Sequence, residues 1–99
     1  MLAAGVSAAT SREMIGERAE QVAIAAINSP TLVTLSGDTA PLGEVADQLE
    51  EQAKFYRWLP IDYAFHTHQM DPIKDELLEA LAGINPQPGN IPMLSLIHI

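Results

Sequence analysis

From Leu42 the apolar residues fall at Leu42, Val45, Ala46 and Leu49, an i, i+3, i+4, i+7 stripe, while Asp47, Glu50 and Glu51 take the opposite face. That pattern predicts an amphipathic helix with one buried side. Asp38 or Thr39 is the residue type to cap it, and Pro41 is tolerated in its first turn. Upstream, Met1 to Val6 is short, apolar and Gly-containing, and predicts a first strand. Thr10-Ser11-Arg12-Glu13 has the form of a capping box and predicts a helix over residues 11–19, anchored by Met14 and Ile15. Gln21 to Ile27 is apolar at both odd and even positions, the pattern of a strand covered on both faces, although its alanines leave a helix open. Asn28-Ser29-Pro30 signals a turn, and the β-branched run Thr31 to Leu35 completes a hairpin. Phe55 to Ile61 is aromatic-rich and predicts a fourth strand, with Pro60 at its exit because proline offers no amide donor.

In order, residues 1–62 predict β-α-β-β-α-β, the ferredoxin-like pattern of an α+β fold, with an antiparallel sheet and both helices on one face. Beyond it, Asp71-Pro72 starts another helix, with Ile73, Leu77, Leu81 and Ile84 along one side, Leu78 beside them, and Gly83 at its end. Residues 85–92 hold three prolines and a glycine and predict an extended loop. The last six residues, Leu94 to Ile99, match one reading frame of the mosaic-end adapter of a transposase-made sequencing library. They are set aside from fold reasoning, His98 included.

Composition narrows the function. Five Lys or Arg stand against thirteen Asp or Glu, a net charge of −8, which argues against nucleic acid and against an anionic membrane surface. With 47% hydrophobic and 18% charged residues the chain is globular rather than disordered. There is no cysteine, so disulfides and thiolate–metal sites are excluded. No apolar run approaches the ~18 residues of a membrane span, and the N-terminus lacks the charge and length of a secretory signal; the expected compartment is the cytoplasm.

The densest chemistry lies in Ile61-Asp62-Tyr63-Ala64-Phe65-His66-Thr67-His68-Gln69-Met70-Asp71-Pro72. His66 and His68, at alternate positions, would share one face of an extended segment, as metal ligands require, with Asp62 and Asp71 as oxygen donors. Two histidines with loosely spaced acids are a weak metal signature. A single imidazole acting as general base suits neutral pH, and such proton transfer contributes ~10²–10⁴-fold in rate. It needs a nucleophile, however, and none of Ser7, Ser11, Ser29, Ser36 and Ser95 stands in a G-x-S-x-G elbow. From spacing alone the role of His66 stays open.

Residues 62–72 with Asp75-Glu76-Leu77-Leu78, the block Ala25-Ala26-Ile27-Asn28-Ser29-Pro30 and the block Val33-Thr34-Leu35-Ser36-Gly37-Asp38 together resemble the acyltransferase (malonyl/acyl-CoA:ACP transacylase) domain of modular type I polyketide synthases. Met1 to Val6 resembles the segment entering the small subdomain of that family, and the resemblance covers residues 1 to about 93. It implies transfer of an extender acyl group from CoA to the phosphopantetheine thiol of an acyl carrier protein, through a Ser-His dyad in which His66 is the base. Tyr63 and Phe65 fall where the family selects its extender unit: Phe65 goes with malonyl, whereas Tyr63 is what the methylmalonyl pattern shows. Asn28 falls in the block whose asparagine borders the active site, and a turn role is equally open to it. His68 sits where the family varies and inherits no role.

The resemblance further implies that residues 1–62 are the small subdomain and that residues 63–93 carry the histidine and a helix returning to an α/β-hydrolase-like large subdomain. The serine elbow is expected outside this chain, so that the fragment is inactive alone, binds no cofactor or metal of its own, and leaves the apolar side of helix 72–83 open to self-association. A ketosynthase is the expected neighbour. The competing readings are a free-standing ferredoxin-like ligand-binding or regulatory module without catalysis, and a small metal protein built on His66 and His68.

Overall fold

The computed structural model describes residues 1–96; Ile97, His98 and Ile99 lie outside the described residues. Its elements in order are β1 (Leu2–Ala4), α1 (Ala8–Ile15), a 3₁₀ segment (Gly16–Glu20), β2 (Val22–Ser29), β3 (Leu32–Gly37), α2 (Thr39–Glu51), β4 (Tyr56–Trp58), a 3₁₀ turn (His68–Met70) and α3 (Asp71–Leu81). The four strands form one sheet in the order β2-β3-β1-β4, with every neighbouring pair antiparallel.

The expected sequence of elements is present, and its helices lie on one face of the sheet. Strand alternation sends Leu2 and Ala4 of β1 and Val33 and Leu35 of β3 to the helix side, where all four are fully buried. Leu42, Val45, Ala46 and Leu49 of α2, the stripe read from the sequence, meet them together with Met14 and Ile15 of α1. Arg18 ties the end of α1 to α2, its Nε donating at 2.6 Å to Glu44 Oε2.

Several local expectations are corrected. The cap of α1 is Ser7, not Thr10: Ser7 Oγ accepts from the Thr10 amide at 3.1 Å and lies 3.0 Å from the Thr10 hydroxyl. The helix therefore starts a turn early and stops at Ile15, where Gly16 takes a φ of 51° that favours glycine. β2 is an edge strand and is not covered on both faces; Val22 is buried, whereas Ile27 stands 60% exposed. Asn28 and Ser29 continue that strand, and the turn falls on Pro30 and Thr31. β4 covers only three of the seven residues expected for it, and its Trp58 is 45% exposed.

Gly37 has a specific reason to be glycine. A Cβ there would fall on the Gln21 carbonyl oxygen and 2.8 Å from Val22 Cα. That close approach lets the Asp38 amide donate to Gln21 O at 2.9 Å, so the strand end and the start of α2 are pinned together.

Beyond residue 58 the character changes. Every residue of α3 is exposed, and its apolar side lies open, with Ile73, Leu77, Leu78 and Leu81 at 55, 52, 57 and 45%. The radius of gyration, 16.9 Å, exceeds the ~13 Å of a compact chain of this length, because α3 and the proline-rich tail extend away from the sheet. Among the described residues no helix is long and apolar enough to cross a membrane.

Candidate functional site

Residues 59–70 leave β4 and run back to the end of the sheet where β1 begins and β3 ends. Leu59 N donates to Met1 O at 3.0 Å, and Ile61 N turns onto Leu59 O at 2.8 Å. Ala64 is the buried residue of this segment, at 8% exposure. The Thr67 hydroxyl donates to Ala64 O at 2.5 Å and accepts from the Gln69 amide at 3.3 Å. One threonine thus closes the loop behind it and caps the 3₁₀ turn ahead, which passes without a break into α3. Asp71 is the first residue of α3, with Met70 at the cap position and Pro72 in the first turn.

His66 stands between these two anchors, exposed, with a φ of 62°. The left-handed region is uncommon for a residue with a Cβ and costs of order 1 kcal/mol or more; it persists where the surroundings over-determine it. Here they do, since Ala64 is buried on one side and Thr67 is bonded on the other. The consequence is an exposed histidine between two anchored residues. Just before it in the chain the rings of Tyr63 and Phe65 form a tilted pair, centroids 5.7 Å apart and planes at 36°, both substantially exposed.

His68 meets Asp38. Its Nε2 lies 3.5 Å from Asp38 Oδ1, and among the described residues no group of three or more His, Asp or Glu comes together to hold a metal ion. Gln69 Nε2 donates to the same Asp38 oxygen at 2.5 Å. Asn28 is remote from this arrangement in bonding terms: its amide donates to Thr34 Oγ1 at 2.8 Å along the β2–β3 pair, and no hydrogen bond or ion pair among the described residues joins it to the His66 segment.

Two open pockets flank the segment. One of about 340 Å³ lies between residues 19–23 and Thr67–His68. The other, of about 100 Å³ and mostly polar, lies between Met1, Gly37 and Thr39 on one side and residues 61–64 with Gln69 on the other. The sequence points to His66, Tyr63 and Phe65; in the structure the rings of Tyr63 and Phe65 meet, and His66 follows them along the chain. The structure adds Asp38 and Thr67, which no spacing rule singles out: Asp38 reads as an ordinary helix cap, and Thr67 as a residue between two histidines.

A family model described as "Acyl transferase domain" matches residues 2–99. The highly reducing polyketide synthase aurA of Calcarisporium arbuscula is 44% identical over 91 residues, which is 90% of this chain and 4% of that protein. The crystal structure of the acyltransferase domain from module 8 of the salinomycin polyketide synthase superimposes with a TM-score of 0.88 at 33% identity, covering 98% of this chain and 23% of the other. The acyltransferase domain of SpnD, solved in complex with 2-(pent-4-yn-1-yl)malonyl, gives a TM-score of 0.82 at 27% identity, again over 98% of this chain and 23% of the other. The chain therefore spans about a quarter of the solved acyltransferase chains and a few per cent of the curated synthase it matches.

Proposed function

The chain belongs to the acyl transferase domain family of the polyketide synthases, and from that premise we propose that it is the small subdomain and histidine-bearing segment of a domain that moves an extender acyl group from CoA to an acyl carrier protein. The observation that carries this reading is His66, exposed at a φ of 62° between the anchored Ala64 and Thr67, with the Tyr63–Phe65 pair just before it in the chain. The strand order β2-β3-β1-β4, with both helices on one face, supports reading residues 1–62 as a ferredoxin-like unit. The open apolar side of α3 supports reading residues 63–93 as the return toward a large subdomain.

In the proposed mechanism His66 takes the proton of a serine hydroxyl as that oxygen attacks the thioester carbonyl of the acyl-CoA. The carbon–sulfur bond breaks, the proton passes to the departing CoA thiolate, and an acyl-serine ester remains. In the second half His66 takes the proton of the phosphopantetheine thiol, whose sulfur attacks the ester. The proton then returns to the serine oxygen, giving acyl carrier thioester and free enzyme. None of the chain's five serines stands in a nucleophile elbow, so these 99 residues alone are expected to turn nothing over. The proposed neighbours are the carrier protein and a ketosynthase within a cytoplasmic synthase.

Phe65, next to the base, favours malonyl as the extender, because a phenyl ring fills the space an α-methyl branch would need. Tyr63, packed against it, is the feature that leaves methylmalonyl open. The test is a complete acyl transferase domain carrying these residues, assayed with malonyl- and methylmalonyl-CoA. His66→Gln should lower transfer by about 10²-fold or more with the acyl-CoA still bound. Phe65→Ser should raise the ratio of methylmalonyl to malonyl transfer. Unchanged transfer in His66→Gln sinks the assignment of the base, and an unchanged ratio in Phe65→Ser sinks the assignment of selectivity.

A further inference from the structure

We infer that Asp38 is a positioning residue which fixes the His66 loop to the sheet through Gln69 and His68; the inference rests on His66 being the proton-transfer group of the domain.

Asp38 occupies the cap position of α2, with extended backbone angles of −64° and 143°, yet its carboxylate makes no cap hydrogen bond. Aspartate is among the preferred caps, and a cap ordinarily contributes ~1 kcal/mol. Here that contribution is forgone, and Oδ1 instead receives Gln69 Nε2 at 2.5 Å and faces His68 Nε2 at 3.5 Å. The backbone beneath the carboxylate is held from both directions, its amide donating to Gln21 O at 2.9 Å and its carbonyl accepting from Leu42 N at 3.1 Å. The anchor is therefore rigid, tied at once to the 3₁₀-to-β2 junction and to the first turn of α2.

The other end of the tether lies two and three residues from His66. Both partners belong to the 3₁₀ turn that Thr67 caps, and Thr67 also closes onto buried Ala64. With Gln69 and His68 held, the residues flanking His66 are fixed at both ends. The left-handed backbone at His66 becomes the conformation that joins them. Both groups of the His68–Asp38 contact are partly exposed, 33% for Asp38 and 46% for His68, so it is modest as a source of stability. Its effect is on registration: a displacement of ~1 Å at a reacting group can cost ~10²-fold in rate.

The test uses the 99-residue chain and amide exchange followed by NMR. In Asp38→Ala, exchange at Met70, whose amide donates to Thr67 O, should accelerate about tenfold, and the Cα and Cβ shifts of His66 should leave their left-handed values. The β1–β3 amides should keep their protection. Asp38→Asn retains an oxygen acceptor for Gln69 and should restore most of the Met70 protection. Gln69→Ala, at an exposed position that does not threaten the fold, should reproduce Asp38→Ala. Unchanged Met70 exchange and His66 shifts in both Asp38→Ala and Gln69→Ala overturn the inference, as does Asp38→Asn behaving like Asp38→Ala. These readouts require no catalysis. Survival of acyl transfer in His66→Gln removes the underlying reading without touching them, so the two failures are distinguishable.

Discussion

Truncating a leucine on α2 and a leucine on α3 should have very unequal consequences. Leu49 is fully buried between the helices and the sheet, and a Leu→Ala change at such a site costs ~2–5 kcal/mol, the transfer free energy plus the cavity left behind. Leu77 is 52% exposed. Leu77→Ala removes little surface that folding had buried, and alanine has the better helix propensity. The expected change is within ~0.5 kcal/mol and of either sign.

Because a chain this small has limited stability to lose, a milder matched pair accompanies the first. Ile15→Val, at 5% exposure, should cost ~0.5–1.5 kcal/mol, and Ile73→Val, at 55%, close to none. The assay is urea unfolding followed by far-ultraviolet circular dichroism and Trp58 fluorescence. At a slope of ~1 kcal/mol/M for a domain of this size, the Ile15→Val midpoint should fall by roughly 0.5–1.5 M. Repeating the measurement at two protein concentrations separates folding from association through the open side of α3. A Leu77→Ala midpoint displaced as far as that of Leu49→Ala, at the lower concentration, would refute the claim that α3 is unpacked.

Two further outcomes follow from backbone and charge. α2 ends with Lys54 N bonded to Leu49 O at 2.8 Å and Ala53 N to Glu50 O at 3.0 Å, a Schellman closure in which Ala53 takes a φ of 52°; Ala53→Gly should therefore raise the unfolding midpoint by the equivalent of ~1 kcal/mol, and a lowered midpoint would contradict it. The Tyr56 phenol is raised above its ordinary value by the Glu50 carboxylate first, then by burial, a hydrogen bond to Glu50 and the charge of Asp47. A raised folded-state value means that this group's contribution to stability is complete below the ordinary phenol value of ~10 and is lost as pH climbs through the raised one. In a Tyr63→Phe background, tyrosinate absorbance should titrate at lower pH once Glu50→Gln is introduced, and an unmoved titration would remove Glu50 as the main cause.

How much of this is legible in the sequence depends on how local each determinant is. The stripe of α2 is readable because the periodicity, the cap position and the acidic face agree over thirteen residues. The start of α1 is not, since Ser7 and Thr10 are both hydroxyl residues three apart. Glu13, three residues beyond Thr10, completes a capping-box pattern that favours Thr10, while the observed contact uses Ser7 Oγ for both the Thr10 amide and its hydroxyl. The alanine-rich β2 carries the composition of a central strand but sits at the edge, and sheet order is set by pairing partners far along the chain. His66, Tyr63 and Phe65 stand out because they are neighbours. Asp38 does not, because its partners lie thirty and thirty-one residues away and a reading as an ordinary helix cap already accounts for an aspartate at that position.

The division of labour along the chain bears on the proposed chemistry. Residues 1–58 build a core of their own, leaving Ile27, Phe55 and Trp58 outside it: the twelve-residue cluster spans both helices and β1 to β3, with Tyr56 of β4 packed against it. That unit needs no further surface to explain its order. Residues 71–81 bury none, although they carry as regular a stripe, and an isolated helix of this length is marginal in water. His66 lies at the joint between a part that is held and a part that is not. A general base works only where its nitrogen meets the nucleophile to within a few tenths of an ångström, and in this chain the sheet alone supplies that reference frame. The frame is the buried Ala64 and the Asp38 tether, both of which lie on the sheet side. On the proposed reading, whatever covers α3 supplies the reference on the other side, so the alignment of the base depends on two attachments that can be broken independently: one by Asp38→Ala, the other by a charge placed at Leu77.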